Sequence, residues 1–318
     1  MSAAPDLDMD RLEAELLRRQ EAEHRALLFE LALRFECPGS FRSFVELLWA
    51  EVESDPLEWA PYMTVVCDYL QRHTLGDPDY RHLLIMLPPG TSKSLFVSVF
   101  QPAWQLLIDP SYRRLFFTGN DSLSTRDSRR TRRCIVSETY QALMRERRRL
   151  QGLAPWGFAR DQNEKDNFET TAGGFRQCLT LRSGSTGQRG AGITVDDPID
   201  IETVLRGAPE TVLRRCSEAN EKIAQTYATR LNDQRVAQTL LCMQRLHVSD
   251  PAGKAAQKAG WKILCLPLHY APDHPHASPD DPRTVPGEVL HPTRHTPAVV
   301  AELEEGTGRL ASAQLELR

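Results

Sequence analysis

His82-Leu83-Leu84-Ile85-Met86-Leu87-Pro88-Pro89-Gly90-Thr91-Ser92-Lys93-Ser94 joins a short apolar run to a proline-glycine turn. A run of this length, stopped by Pro-Pro-Gly, predicts a strand buried on both faces. Helical spacing resumes at Ser94 and continues to Leu107. The order is therefore strand, turn, helix. In that order the amide N–H groups of the turn and of the first helical turn converge, and the helix dipole favours an anion there. Lys93 and Ser94 stand where a phosphate-binding lysine and a Mg²⁺-coordinating hydroxyl are needed. The match to G-x-x-x-x-G-K-[ST] is incomplete, because Leu87 occupies the first glycine and Ser92 the second. By itself the stretch is equally an ordinary strand–turn–helix corner with a solvated lysine. The flanking strand and helix favour the phosphate site.

A nucleotide site also needs an acidic strand end. Ile193-Thr194-Val195-Asp196-Asp197-Pro198 supplies one. Two adjacent carboxylates at the end of a buried strand are costly unless they face a cation or water. In a phosphoryl-transfer site the first would hold the Mg²⁺ shell and the second would orient the attacking water. The plain alternative is a solvated Asp-Asp-Pro turn. The pairing with the phosphate turn weighs against it.

Further out, helices are expected at 7–35, 41–53, 61–73, 122–149 and 208–226. Strands are expected at 115–118, 179–181, 193–195, 236–243 and 262–266. The 151–178 stretch reads as irregular or edge strand, 183–190 as loop, and the Pro-, His- and Asp-rich 271–294 as loop. Strands alternating with helices predict an α/β fold with a mainly parallel central sheet flanked by helices. The expected division is an N-terminal helical segment at 1–60, a P-loop ATPase domain at 61–270 and a loop-rich linker at 271–318.

The 318 residues carry a net charge of −4, so any nucleic-acid contact must be local. It has an obvious place: residues 113–149 hold eleven Arg against four acids, a balance of +7. Such a stretch suits sequence-independent contact with DNA phosphates. A solvated helix face with intrahelical pairs explains it as well. Seven cysteines form no C-x-x-C pair, which argues against zinc and for a reducing cytosol. No apolar run has the length of a membrane span and no signal-peptide core opens the chain. A soluble, cytoplasmic protein is expected.

Together these stretches resemble the large subunit of tailed-phage terminases. Leu87-Pro88-Pro89-Gly90-Thr91-Ser92-Lys93-Ser94 is similar to that family's Pro-Pro-containing Walker A motif, which in some members carries a small residue in place of the last glycine. Gly187-Gln188-Arg189-Gly190-Ala191-Gly192 followed by Val195-Asp196-Asp197-Pro198 resembles its Thr-Gly-x-Arg loop and Asp-Asp-Pro Walker B motif. Met243-Gln244-Arg245-Leu246-His247, with Asp250 and Gly253, resembles the segment around motif III. The likeness covers about residues 60–318.

The resemblance implies an ASCE-type P-loop ATPase that translocates double-stranded DNA into a procapsid. Pro89, Gly90, Thr91, Ser92, Lys93 and Ser94 would hold ATP, and Ser94 and Asp196 would hold Mg²⁺. Asp197 would be the catalytic carboxylate and Gln244 a γ-phosphate sensor. Arg189 would complete a neighbouring subunit's site as an arginine finger. For Arg189 a structural loop role stays open, as does simple loop capping for Gln244. Partners implied by the family are a portal protein, a small terminase subunit and further copies of the chain in a ring. Family members continue into a two-metal nuclease domain, and Asp280-Asp281 are poor candidates for its acids, so ATPase without DNA cutting is expected of this chain. The competing readings are a catalytically idle or truncated prophage remnant that only binds DNA or packaging proteins, and another P-loop ATPase such as a helicase.

Overall fold

The computed structural model describes residues 9–163, 167–180, 187–200, 208–308 and 311–318. Part of the expected 183–190 loop, and the end of the expected 179–181 strand, lie outside these residues. Three helices open the chain: α1 (Met9–Leu33), α2 (Ser40–Val52) and α3 (Pro61–Leu75). β1 (His82–Met86) follows, then a π-helical stretch (Leu95–Phe100) that runs into α4 (Gln101–Ile108). Next come β2 (Arg113–Thr118), α5 (Asp121–Val136) and α6 (Glu138–Leu150). The chain continues through β3 (Phe158–Asn163), β4 (Asn167–Thr170), β5 (Phe175–Thr180) and β6 (Gly192–Asp196). Last are α7 (Pro209–Arg230), β7 (Gln238–Met243), α8 (Pro251–Ala256), β8 (Trp261–Cys265), α9 (Pro297–Thr307) and α10 (Ala311–Gln314).

The eight strands form one sheet in the order β3-β4-β5-β2-β6-β7-β1-β8. From β5 to β8 every pairing is parallel. β4 and β3 extend the β5 edge antiparallel, in the stretch where the sequence reads as irregular or edge strand. The expected single helix over 122–149 is two. Ser137 breaks it, its hydroxyl donating to Cys134 O at 2.7 Å while it accepts from Tyr140 N as the N-cap of α6.

Strand periodicity sorts the core. Leu83, Ile85 and Leu87 project into the layer of α1–α4 and α6, packed with Phe41, Phe44, Val66, Trp104 and Tyr140. Leu84 and Met86 project to the other face, with Val195, Leu241, Met243 and side chains of α7 and α8. Covering both faces explains the apolar runs at 83–86 in β1 and 240–243 in β7. Each fully buried Leu in them contributes roughly 1.5–3 kcal/mol. The 1–60 helices share the first core with α4 and β1. The 271–318 stretch carries α9 and α10 and buries His274, Arg283, Leu290, His291, His295, Leu315 and Leu317. Asp280 and Asp281 are tied down there by Tyr69, whose hydroxyl donates to Asp280 at 2.6 Å, and by Arg283, 2.8 Å from Asp281.

Candidate nucleotide site

Because β1, β6 and β7 are parallel, their carboxyl ends lie on one edge of the sheet, where open α/β sheets gather their ligands. β1 delivers the 88–94 turn, β6 delivers Asp196 and Asp197, and β7 delivers Gln244. β7 lies between β1 and β6, so the turn and the acidic strand end are two strands apart.

The turn is built by two residues in left-handed conformation, Gly90 at φ 79° and Ser92 at φ 56°. The Thr91 hydroxyl between them donates to Pro88 O at 2.8 Å, and Thr91 O accepts from the Tyr62 hydroxyl at 3.1 Å. Lys93 follows, buried, with Ser94 half-buried beside it at the head of the helix.

Lys93 Nζ lies 2.9 Å from Asp197 Oδ2. Burial works to lower the pKa of the Lys93 ammonium, and the Asp197 carboxylate overrides it, holding the group above its ordinary value. Asp197 itself sits at φ 41°, turned back at the end of β6, with its amide bonded to Cys242 O at 2.9 Å. Its Oδ1 accepts from the backbone N–H of Gln244 at 3.4 Å. The Gln244 side chain is buried and its Oε1 meets no donor among the described residues.

Asp196 is buried. Its Oδ2 accepts from the Ser98 hydroxyl at 2.7 Å, and its Oδ1 meets no donor among the described residues. Burial first, and the neighbouring Asp197 carboxylate second, push its pKa above the usual carboxylate range. Ser98, not Ser94, is thus the hydroxyl bonded to Asp196. Its placement comes from the π stretch, where Gln101 N reaches back to Phe96 O. Single-turn π geometry is frequent at functional sites. The signal for Ser98 in the sequence is faint: it is the lone polar residue in Leu95-Phe96-Val97-Ser98-Val99-Phe100, and a buried hydroxyl needs a partner.

Lys93, Asp196, Asp197 and Gln244 are therefore brought together. Arg189 is not. It is exposed and precedes β6, whereas Asp196 ends it. From Gly192 to Asp196 the strand takes four steps, about 13 Å at about 3.3 Å per residue, so Arg189 lies toward the opposite edge of the sheet. The glycines around Arg189 serve packing: a Cβ on Gly190 would come within 2.8 Å of Arg113 O, and one on Gly192 within 2.6 Å of the Tyr112 hydroxyl.

The Met243–His247 resemblance also acquires a physical content. Asp250 is fully buried, accepts from the amides of Leu246 and Gly253 at 2.7 Å each, and pairs with Arg245 Nε at 3.1 Å. A Cβ on Gly253 would lie 2.2 Å from Val248 O. Arg245, Asp250 and Gly253 thus lock the turn that holds Gln244 beside Asp197.

No protein-family profile and no curated relative matches the chain. A search of solved structures returns the crystal structure of the HK97 bacteriophage large terminase. The fold superposes with a TM-score of 0.46 at 11% sequence identity, over 87% of this chain and 54% of the other. This chain thus spans about half the length of that protein.

The residues of the turn fit a Mg²⁺–nucleotide. A buried lysine faces the turn and is neutralised there by a carboxylate that a phosphate could replace. Asp196 Oδ1 is a buried oxygen lacking a donor, the kind of hard ligand that Mg²⁺ takes directly or through water.

Proposed function

We infer that the chain is an ATP-hydrolysing motor subunit of the terminase type, moving double-stranded DNA into a procapsid. The observation that carries this reading is the Lys93–Asp197 pair at 2.9 Å, with buried Asp196 adjacent, on the edge of the sheet where the left-handed 90–92 turn ends. The strand between β1 and β6 supports the ASCE class.

In this reading the backbone N–H groups from Gly90 to Ser94 would cradle the β- and γ-phosphates, with Pro89, which has no N–H, shaping the turn, and Lys93 would exchange Asp197 for the phosphate oxygens. Ser94 and Asp196 would hold Mg²⁺, which would supply charge neutralisation on the polyphosphate. Asp197, released from Lys93, accepts a hydrogen bond from the attacking water and orients it. Gln244 registers the change because its N–H is bonded to Asp197 Oδ1. Arg189, on the opposite edge, is available to a neighbouring copy in a ring, which is where an arginine finger acts in trans.

DNA is assigned to α5. Asp121, Arg126, Arg129, Arg130 and Arg133 line an open cavity of about 710 Å³ there. Several of these arginines already bind protein groups, as Arg130 does Glu53 at 2.8 Å, and the groove offers the remaining donors to backbone phosphates without reading bases. Portal protein and small subunit are proposed partners on the resemblance alone.

The test is ATP turnover with and without DNA, in wild type, Lys93→Ala and Asp197→Asn. DNA-stimulated turnover is expected in wild type, with a loss of at least about a hundredfold in both variants. Equal turnover in all three, with DNA and packaging partners present, would sink the motor reading.

A further inference from the structure

The phosphate turn is covered by a segment from the far end of the chain. Leu290 is in the first core and its amide bonds to Leu268 O at 2.8 Å. Beyond it, the His291 ring packs edge-on against Tyr62, the residue whose hydroxyl holds Thr91 O. His295 is buried, and its Nε2 stands 3.4 Å from the place a Cβ on Gly90 would occupy. Between them Arg294 reaches the turn itself: Nη1 donates to the Ser92 hydroxyl at 3.0 Å.

We propose that Arg294 is a second polyphosphate-binding cation of this site, docked on Ser92 and carried across the chain by the 290–295 segment. The proposal rests on the nucleotide reading of the 88–94 turn.

Four observations support it. The first is reach, since Ser92 directly precedes Lys93 and lies within the turn whose amides converge on the anion. The second is availability. A guanidinium has five N–H donors. Here Nη1 goes to Ser92, and Nε lies a long 3.8 Å from Glu58, whose side chain is 55% exposed. An exposed, stretched pair of that kind is easily exchanged for a doubly charged phosphate. The third is orientation. His291 and His295 hold the backbone on both sides of Arg294 against the turn, while its own side chain stays partly open at 27% exposure. The fourth is Ser92. A glycine would adopt φ 56° at no steric cost, and serine at this position brings only its hydroxyl. Among the described residues, the bond that hydroxyl makes is the one to Arg294.

The experiment is equilibrium binding of mant-ATP and of mant-AMP, in magnesium, to wild type, Lys93→Ala, Arg294→Ala and Arg294→Lys. Thermal unfolding without nucleotide runs alongside. Arg294→Ala is expected to weaken mant-ATP about tenfold or more, the size of a lost charge-assisted contact. It should leave mant-AMP within about twofold, and Arg294→Lys should recover part of the loss, because a point charge still attracts phosphate. Unchanged mant-ATP binding in Arg294→Ala, with binding lost in Lys93→Ala, overturns the role of Arg294 and leaves the phosphate site standing. Equal loss of mant-ATP and mant-AMP, with a lowered unfolding temperature, makes Arg294 a packing residue and also overturns it. Unchanged binding in Lys93→Ala removes the nucleotide reading on which the proposal stands.

Discussion

Ser92 and Asp197 are two of the three non-glycine residues held at positive φ among those described, and both sit in the candidate site. Backbone conformations that are sparsely populated cluster where function over-determines them. Asp197 makes the point testable. Its φ of 41° is a region that Asn tolerates and Ala does not. Asp197→Asn and Asp197→Ala both remove the charge beside Lys93, so their difference reports the backbone strain together with the side-chain acceptor for Gln244 N–H that only Asn keeps. Asp197→Ala should be less stable than Asp197→Asn by about 1 kcal/mol in urea denaturation. Equal midpoints would mean that the turn after β6 relaxes freely. At this scale the order of Lys93, Asp196 and Asp197 along the chain announces the cluster, Gln244 enters through the family resemblance, and the structure places the four side by side. The left-handed backbone was not legible, because neither serine nor aspartate announces a positive φ as glycine does.

Among the elements, the π stretch after the 88–94 turn does what the sequence pattern could not foretell. Apolar spacing in 94–107 predicts a helix. It does not predict which turn is widened, and that choice decides whether Ser94 or Ser98 meets Asp196. The widened turn is pinned on its outer side too, since the Ser98 carbonyl accepts from the Thr131 hydroxyl at 3.2 Å and from Arg176 Nη2 at 3.1 Å. Arg176 is buried, against the Phe116 ring at 4.1 Å. Two buried serines then offer a comparison. Ser98 serves Asp196, whereas Ser128 Oγ is buried and meets no partner among the described residues. Ser98→Ala should cost about 1–3 kcal/mol, because it strips the last donor from a buried carboxylate. Ser128→Ala should be neutral or slightly stabilising. Chemical denaturation of the two variants reads this directly, and equal costs would contradict it. The strands β1, β2, β6, β7 and β8, by contrast, are legible, because parallel strands covered on both faces write apolar runs. β5 begins at Phe175 with Arg176 and Gln177 in it and shows itself in the sequence only at its end. The β3–β4 edge was only half legible: edge strands are partly solvated and carry no such run.

Across the whole molecule, contacts between distant parts of the chain were the least legible feature. Ser92 and Arg294 are 202 residues apart, and no spacing rule joins them. The same tail adds His274, His276, His291 and His295 to His73 and His82, and these histidines contribute to the response to acid. His73, buried with its Nδ1–H on Tyr80 O at 2.8 Å, is pushed down to about 3 by burial and then by Arg114. Burial also lowers His82, His274, His276, His291 and His295. A group whose folded pKa is depressed takes its proton first in the unfolded chain. For a histidine the stability is therefore complete above the unfolded value near 6.5, and it is lost as pH falls toward the folded one. For His73 that window runs from 6.5 down to about 3. Asp196 acts in the opposite sense, since its pKa, raised to about 7, makes the native state take the proton first, and over this range it offsets His73. The His73 contribution is therefore read as a difference: it should lower the free energy of unfolding by about 1 kcal/mol between pH 7.5 and pH 5.5 in wild type relative to a His73→Asn variant, which keeps a donor for Tyr80 O. Urea denaturation of both proteins across that range measures it. The same pH dependence in both would show that His73 is protonated in the native chain.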